Sequence, residues 1–143
     1  RHPNIALFHG AIIDIKNGDI RVVLEQVNGK SLGFVIAQIK AWMQTSPQAH
    51  AQSQIILRVC HALIYLHSCV PAIVHSDLKP SNIIIERREA GPWPKLLDFG
   101  LSRTITRNTK LQGGTPHYVA PEVIRGVSGR TSPSADTYSL GCL

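Results

Sequence analysis

Three side chains that suit phosphate chemistry lie close together in the middle of the chain. Asp77 and Asn82 belong to the run His-Ser-Asp-Leu-Lys-Pro-Ser-Asn at 75–82, and Asp98 follows Asn82 by sixteen residues. Transfer of a terminal phosphoryl group from a nucleoside triphosphate needs positioning, metal ions on the phosphates and a carboxylate beside the attacking hydroxyl. Asp77 is the candidate proton acceptor, Asn82 and Asp98 are candidate magnesium ligands, and Lys79 adds a charge for the transferring phosphate.

Two further elements make this pattern specific. Asp98 opens an Asp-Phe-Gly triplet, and Ala-Pro-Glu follows at 120–122. The three segments, in this order, resemble the catalytic loop, the metal-binding turn and the Ala-Pro-Glu element of the eukaryotic protein kinase family. A lone Asp-Phe-Gly would be weak, whereas three ordered motifs are strong. The resemblance implies ATP and Mg²⁺ as cofactors and protein substrates as phosphate acceptors.

The acceptor class is indicated by two segments, Lys-Pro-Ser-Asn at 79–82 and Gly-Thr-Pro-His-Tyr-Val-Ala-Pro-Glu at 114–122. Both resemble the serine/threonine type of protein kinase, in which a threonine binds the catalytic aspartate and the lysine two residues after it. The resemblance therefore adds Thr115 to Asp77, Lys79 and Asn82 as candidate catalytic residues. Taken singly, Lys79 could be a solvated loop lysine and Thr115 a turn hydroxyl.

One residue departs from the family's commonest pattern. Ser76 stands where an arginine before the catalytic aspartate usually pairs with a phosphate on the activation segment, which would be residues 98–122 here. Without that guanidinium, we expect activity to depend weakly on phosphorylation of this segment. Its candidate acceptors are Thr104, Thr106 and Thr109. Ser76 also favours the alternative class, a pseudokinase scaffold that binds partners without catalysis, whereas the intact Asp77, Asn82 and Asp98 favour an enzyme.

A nucleotide edge is expected where the second strand ends. The resemblance implies that Leu24 is the gatekeeper and that the main chain of Glu25 and Val27 binds adenine. It also places Ile84 beneath the base, and Lys79 would contact the phosphates. Leu24 could equally be strand core. The resemblance also stacks His75, Phe99 and Phe8 in a regulatory spine and lets Asp136 hold the catalytic-loop backbone, although a first-turn carboxylate favoured by the helix dipole would read the same way.

The elements that position these residues follow from local patterns. Asn17-Gly18 separates two β-branched runs and predicts a hairpin, and apolar residues spaced by three and four predict a central helix. His61 and His67 lie on or at the end of that helix and are interpreted as ordinary helix histidines. The predicted elements are strands 5–14 and 19–27, a helix capped by Ser31, helix 52–68, strand 72–74, strands 82–86 and 95–97 joined by an exposed turn 87–94, and a helix starting at 132–134.

The resemblance covers nearly all of this chain but only about half of the family's two-lobed domain. We therefore predict an α+β, protein-kinase-like fold, with 1–143 a partial domain. Residues 1–27 would end the N-lobe, and 28–143 would form the hinge and the first half of the mainly helical C-lobe. The glycine-rich loop and the ATP-binding lysine are absent from the sequence, so the chain alone is expected to be inactive.

Composition excludes several other classes. With 43% hydrophobic and 17% charged residues among 143, the chain is globular, and its formal charge of +6 is scattered without interleaved aromatic residues, so nucleic-acid binding is not indicated. Its three cysteines form no CxxC pair. This argues against a disulfide framework and favours a reducing, cytoplasmic compartment. No apolar run reaches the roughly 18 residues that a membrane span needs.

Overall fold

The structure is a computed structural model that describes residues 1–42, 46–105, 114–125 and 132–143, with side chains left out at 39–49. The described residues contain seven strands and four helices. In chain order these are β1 (Phe8–Asp14), β2 (Asp19–Leu24), β3 (Lys30–Ser31), α1 (Leu32–Trp42), α2 (Ser46–Ser68), β4 (Ile73–Val74), β5 (Ile83–Arg88), β6 (Gly91–Leu96), β7 (Arg103–Thr104), α3 (Pro121–Ile124) and α4 (Pro133–Gly141).

The first hairpin, β1–β2, confirms the prediction from Asn17-Gly18. The strands are antiparallel with Asp14 opposite Asp19, and Gly18 takes a positive φ of 70°, which glycine adopts without strain. Both strands are shorter than predicted. Residues 4–6 instead hydrogen-bond the end of β6, with Ala6 N–H donating to Leu96 O at 2.9 Å. The hairpin itself is open to solvent, since every side chain of β2 is exposed.

The second hairpin, β5–β6, corrects the sequence prediction. The expected turn 87–94 is wrong, because β5 continues to Arg88 and β6 starts at Gly91, leaving a two-residue turn. Pro92 and Pro94 lie inside β6, opposite Arg87 and Ile85. Proline is tolerated there because β6 is the edge of the β3-β5-β6 sheet, where its missing N–H removes no ladder bond.

The helix starts follow local capping chemistry. Ser31 Oγ accepts the N–H of Phe34 at 3.2 Å at the start of α1, and Ser132 Oγ accepts the N–H of Ser134 at 3.3 Å at the start of α4, both as predicted. Helix α2 begins six residues earlier than predicted, at Ser46. Pro47 in its first turn is the signal that was missed, because proline is favoured at that position.

The core lies between α2 and the sheet that carries β5 and β6. Burial of each large aliphatic side chain contributes about 1.5–3 kcal/mol. The buried cluster consists of Leu32, Ile55, Val59, Ala62, Leu63, Leu66, Leu78, Ile83, Ile85 and Leu96. At the rim, the guanidinium groups of Arg58 and Arg88 lie 3.8 and 4.4 Å from the ring centre of Trp93, which joins α2 to both strands of the hairpin.

This arrangement of small sheets with helices packed beside them confirms the α+β fold class. Within the described ranges, no helix is both long and apolar enough to cross a membrane.

Candidate active site

The catalytic loop (residues 75–82) connects β4 to β5 and is anchored by Leu78, whose side chain is fully buried. The two charged candidate residues, Asp77 and Lys79, flank Leu78 in the sequence. Lys79 Nζ lies 2.7 Å from Asp77 Oδ2 and donates a hydrogen bond to Thr115 Oγ1 at 2.8 Å. Thr115 Oγ1 in turn donates to Asp77 Oδ1 at 2.8 Å. The structure therefore brings Asp77, Lys79 and Thr115 into one closed triangle.

Asn82 is the fourth member of this cluster. Its Nδ2 donates to the main-chain oxygen of Asp77 at 2.9 Å and to Asp77 Oδ2 at 3.1 Å, and the side chain is buried. Both amide protons are used on Asp77, and Asn82 Oδ1 accepts no hydrogen bond from the described residues. A single three-residue 3-10 turn, Pro80–Asn82, sets this orientation before β5 begins.

Asp98 is brought to Asn82 by the backbone. Leu97 N–H donates to Asn82 O at 2.8 Å, so the residue that follows Leu97 lies beside the start of β5. Asp98 is exposed and has a positive φ of 59°, and its Oδ1 accepts the N–H of Gly100 at 3.1 Å. A non-glycine residue in the left-handed region is uncommon and occurs often at functional sites.

These two residues fit a magnesium ion by their chemistry. Mg²⁺ prefers oxygen ligands and is usually held by one or two carboxylates together with waters and substrate phosphates. The free amide oxygen of Asn82 and the exposed carboxylate of Asp98 match that ligand set. No group of three His, Cys, Asp or Glu side chains that could hold a metal occurs in the part of the chain that is described. One amide oxygen and one carboxylate would leave coordination positions of the ion for waters and substrate phosphates.

The triangle also sets the charge of Asp77. Burial is the largest influence and would raise its pKa, but hydrogen bonds from Lys79, Thr115 and Asn82 together with the Lys79 charge outweigh burial and hold the pKa below its usual value. Asp77 is therefore ionised at neutral pH. A carboxylate in this state accepts a hydrogen bond from a hydroxyl and orients it.

The loop backbone is held from below by α4. Asp136 is fully buried and accepts the N–H of Ser76 on Oδ1 and the N–H of His75 on Oδ2, each at 2.9 Å. Asp136 therefore holds the backbone of the catalytic loop, as the resemblance implied. It is not merely a first-turn carboxylate that the helix dipole favours. His67 Nε2 lies 2.8 Å from Asp136 Oδ2. Sequence reasoning did not single out this contact, because no local pattern links positions 67 and 136.

His75 shows how the loop meets the Asp-Phe-Gly turn. Its ring is buried, Nε2–H donates to Leu97 O at 3.0 Å, and Nδ1 accepts the Asp77 N–H at 3.4 Å. Burial lowers the pKa of His75, which keeps the ring neutral in this arrangement. The ring centre of Phe99 lies 5.0 Å away. Of the expected spine, Phe8 instead lies exposed on the wall of a cavity of about 680 Å³ that Phe99 also lines.

The expected nucleotide edge lies at the end of β2. Leu24 is 48% exposed, so it is not strand core in this chain. Glu25 N–H donates to Leu7 O at 2.7 Å, and its carboxylate accepts the Leu7 N–H at 3.0 Å and pairs with Lys95 Nζ. Hydrogen bonds from Lys95, and next from Leu7, lower the pKa of Glu25. Val27 follows two residues later in irregular backbone.

The chain then passes tightly against β5. A Cβ placed on Gly29 would lie 2.3 Å from the main-chain oxygen of Ile85 and 2.8 Å from Ile84 Cγ2. Any larger residue would push the segment away from the strand. Ile84 is half-buried and pairs with Ser31 across β3–β5, so the residue expected beneath adenine is held beside this close approach.

The activation segment is described at its two ends. Its start is paired to β4 through β7, and Ser102 Oγ donates to His75 O at 3.0 Å. Its end is held by Ser139 of α4, whose hydroxyl donates to Tyr118 O at 2.7 Å. Thr104 lies in β7, whereas Thr106 and Thr109 lie outside the described residues.

The fold and the site together define a protein kinase domain, and comparison with known proteins agrees. The family model "Protein kinase domain" matches residues 1–143, so the chain belongs to this family. It is 32% identical over 153 residues to the serine/threonine-protein kinase Nek2 of Mus musculus and of Homo sapiens, covering 100% of this chain and 32% of Nek2. It is 33% identical over 146 residues to the serine/threonine-protein kinase CTR1 of Arabidopsis thaliana, covering 100% of this chain and 17% of CTR1.

These findings confirm the recognition of a serine/threonine-type protein kinase from its motifs. The chain spans about a third of Nek2 and about a sixth of CTR1.

Proposed function

We propose that the protein containing this chain transfers the γ-phosphoryl group of ATP to serine or threonine hydroxyls of protein substrates. The observation that supports this proposal is the closed triangle in the catalytic loop. Thr115 Oγ1 donates to Asp77 and accepts from Lys79, each at 2.8 Å, so a short alkyl hydroxyl fits between the carboxylate and the ammonium group. A substrate serine or threonine would present the same kind of group to the same pair.

The roles of the residues follow from their charges. Asp77, ionised at neutral pH, would orient the acceptor hydroxyl and receive its proton as the new bond forms. Lys79 would hold the transferring phosphate as a point charge, because its ammonium group already lies beside the acceptor position. Thr115 would lock these two side chains in one geometry and so keep the reacting groups aligned.

The nucleotide and metal sites complete the proposal. Asn82 and Asp98 would hold Mg²⁺, which supplies positive charge to the phosphates and neutralises the charge that develops on them. Leu24 would be the gatekeeper, the main chain of Glu25 and Val27 would bind adenine, and Ile84 would lie beneath it. Residues 1–27 would be the end of the N-lobe, and residues 28–143 would form the hinge and the first half of the C-lobe. The chain alone would be inactive. A cytoplasmic location stays a prediction.

The deciding experiment measures transfer of radiolabelled phosphate from ATP, with Mg²⁺, to a generic serine/threonine protein substrate. Full-length wild-type protein is compared with an Asp98→Asn variant and with Asp19→Asn, a matched change at an exposed strand position. We expect wild type and Asp19→Asn to transfer phosphate and Asp98→Asn to lose transfer. Equal transfer by Asp98→Asn would contradict the metal-ligand role.

Absence of transfer by a folded wild-type protein would favour the pseudokinase alternative. The structure gives one observation in that direction, which is Ser76 in place of the usual arginine. Its hydroxyl lies 3.5 Å from the main-chain oxygen of Val74 and brings no positive charge to the loop. For an active enzyme, the same feature predicts that alanine at Thr104, Thr106 and Thr109 leaves the rate nearly unchanged, and loss of activity in that variant would refute the prediction.

A further inference from the structure

One cation beside the second hairpin has no anionic partner. Helix α2 contains a single Lys or Arg, which is Arg58, and it contains no Asp or Glu. The Arg58 side chain is half-buried, yet in the part of the chain that the structure describes its guanidinium group forms no hydrogen bond and no ion pair. A charge withdrawn from water is costly unless an opposite charge or hydrogen bonds compensate for the lost hydration. Arg58 therefore has unused capacity to bind an anion.

The ring of Trp93 holds this cation in place. The guanidinium carbon of Arg58 lies 3.8 Å from the ring centre, and the indole Nε1–H donates to Pro3 O at 3.3 Å, which fixes the ring. The attraction between a guanidinium group and an aromatic ring uses none of its five N–H donors. Those donors form a planar fork that matches the two oxygens of a carboxylate. Arg58 is thus both positioned and available for a bidentate contact.

Arg88 brings a second guanidinium group to the same ring, with its carbon 4.4 Å from the ring centre. The Nε–H and one terminal nitrogen of Arg88 donate to Glu86 Oε2, so the charge of Arg88 is already balanced within β5. Its other terminal nitrogen is not used on Glu86. Arg88 therefore adds N–H donors beside Trp93, whereas Arg58 supplies the unbalanced positive charge.

The outer edge of β6 excludes one mode of binding at this surface. Pro92 and Pro94 have no N–H, Pro94 O accepts from Asn4 Nδ2 at 2.8 Å, and the Leu96 N–H donates to Asn4 O at 2.8 Å. An extended segment that adds to a sheet edge needs main-chain donors and acceptors on that edge. Because the donors are missing or used, a partner here must be recognised through its side chains.

We propose that Arg58, Trp93 and Arg88 form a docking site for an acidic segment of a protein partner. A glutamate or aspartate carboxylate of that segment would occupy the N–H fork of Arg58 and accept a further hydrogen bond from Arg88. Charge complementarity selects this partner, because the site presents a positive charge without a counter-charge and an aromatic ring without a strand edge. The inference goes beyond phosphoryl transfer, since none of the three residues belongs to the triangle around Asp77 and docking needs no ATP.

The test measures binding of a fluorescein-labelled peptide of alternating glutamate and glycine to the full-length protein by fluorescence anisotropy. We expect saturable binding that weakens as salt is added, and no binding of the matching lysine–glycine peptide. Arg58→Gln should raise the Kd at least about tenfold, the loss expected for a hydrogen-bonded charge pair. Arg58→Lys should raise the Kd less, because it keeps the charge and loses the planar fork.

The matched control is Arg21→Gln, the same loss of charge at an exposed position of β2. An unchanged Kd in Arg58→Gln, or an equal rise in Arg21→Gln, would overturn the inference, as would a wild-type protein that does not bind the acidic peptide. Tighter binding of a short DNA duplex than of the peptide would also overturn it, by assigning the cations to a nucleic acid. If Arg58→Gln does not fold, Arg88→Gln tests the same site, and its Kd should rise by a smaller factor.

Activity separates docking from the proposed function. Phosphate transfer to an acceptor peptide without acidic residues should proceed at the same rate in wild type and Arg58→Gln, because Arg58 lies outside the catalytic loop. A lower rate in Arg58→Gln would contradict a role confined to docking. If wild type transfers no phosphate, the proposed function fails, while the anisotropy measurement still decides whether the acidic peptide binds at Arg58.

Discussion

The catalytic loop and the nucleotide edge are held in opposite ways. In the loop, Asp77 contacts Lys79, Thr115 and Asn82, and its side chain is 7% exposed. The backbone of the two preceding residues is tied to α4. The edge ends a hairpin whose side chains are open to solvent, with Ile15 at its turn 89% exposed. Its contacts with the β3-β5-β6 sheet include the Glu25–Lys95 pair and the close approach of Gly29 to β5. The chemical step should therefore depend on many coupled groups, and ATP binding on few.

The largest effect on kcat is expected from a substitution at the centre of the catalytic loop. Asp77→Asn keeps the shape of the side chain but removes the proposed proton acceptor, so kcat should fall about 10²- to 10⁴-fold. The KM for ATP should change little, because the nucleotide edge is elsewhere. Steady-state kinetics of the full-length protein checks both values, with Asp19→Asn as the control. A fall in kcat of less than about tenfold would contradict the role of Asp77.

The next effect tests the coupling within the triangle. Thr115→Val removes a donor to Asp77 and an acceptor for Lys79, and should lower kcat about ten- to one-hundredfold, whereas Thr115→Ser should retain most activity. The hydrogen bond from Thr115 lowers the pKa of Asp77. Its loss should raise that pKa, so the acid limb of the pH–rate profile should move to higher pH in Thr115→Val. An unshifted acid limb would show that Thr115 does not act through Asp77.

A smaller effect, on the KM for ATP, is expected when the nucleotide edge at the end of β2 is displaced. Gly29→Ala forces a methyl group against the oxygen of Ile85, and overpacking of this kind costs about 1–3 kcal/mol. The segment should move away from β5, raising the KM for ATP about tenfold while kcat stays near wild type. Gly33→Ala is the control, because its Cβ would meet Pro80 at an ordinary 3.5 Å. A fall in kcat with KM unchanged would mean that the two regions are not separable.

The smallest effect concerns the ion pair behind the edge. Lys95 is nearly buried, so Glu25→Gln leaves an unpaired ammonium group and should be more harmful than Lys95→Met, which removes the charge. We expect the Lys95→Met change to raise the KM for ATP by less than about fivefold. Similar KM values in the two single variants would contradict this asymmetry.

The Glu25–Lys95 pair should also make the stability of the folded protein depend on pH. The folded-state pKa of Glu25 is depressed, so its contribution to stability is present above its unfolded pKa and is lost as pH falls through the folded value. Thermal unfolding between neutral pH and about pH 3, a range that brackets the usual glutamate pKa, should show less acid destabilisation in Lys95→Met than in wild type. Lys16→Met, at the exposed hairpin turn, should titrate like wild type.

Local patterns identified the catalytic loop and the first hairpin. The spacing of Asp77, Asn82 and Asp98 selected them as candidates. The Asn17-Gly18 turn was sufficient to place the first hairpin, because it is a short-range feature. The extent of β6 was not predictable, since whether Pro92 and Pro94 can lie in a strand depends on that strand being at a sheet edge. Edge position is decided by tertiary structure.

Two contacts between residues far apart in the sequence show the other limit. His67 and Asp136 are 69 residues apart, and Glu25 and Lys95 are 70 apart. No periodicity, cap or turn connects such positions in a single sequence. Each residue taken alone has an ordinary explanation, as a helix histidine or a strand lysine. Their partners were visible only after the chain was folded.

The contact of Trp93 with two guanidinium groups has a spectroscopic consequence. The sequence has two tryptophans, Trp42 and Trp93, so a Trp42→Phe variant would carry a single indole fluorophore. Trp93 touches Arg58 of α2 and Arg88 of β5, and its Nε1–H donates to Pro3 O at 3.3 Å. Its emission therefore reports whether the hairpin between Asn82 and Asp98 is docked on α2, which makes the scaffold of the candidate metal ligands observable in solution without any nucleotide.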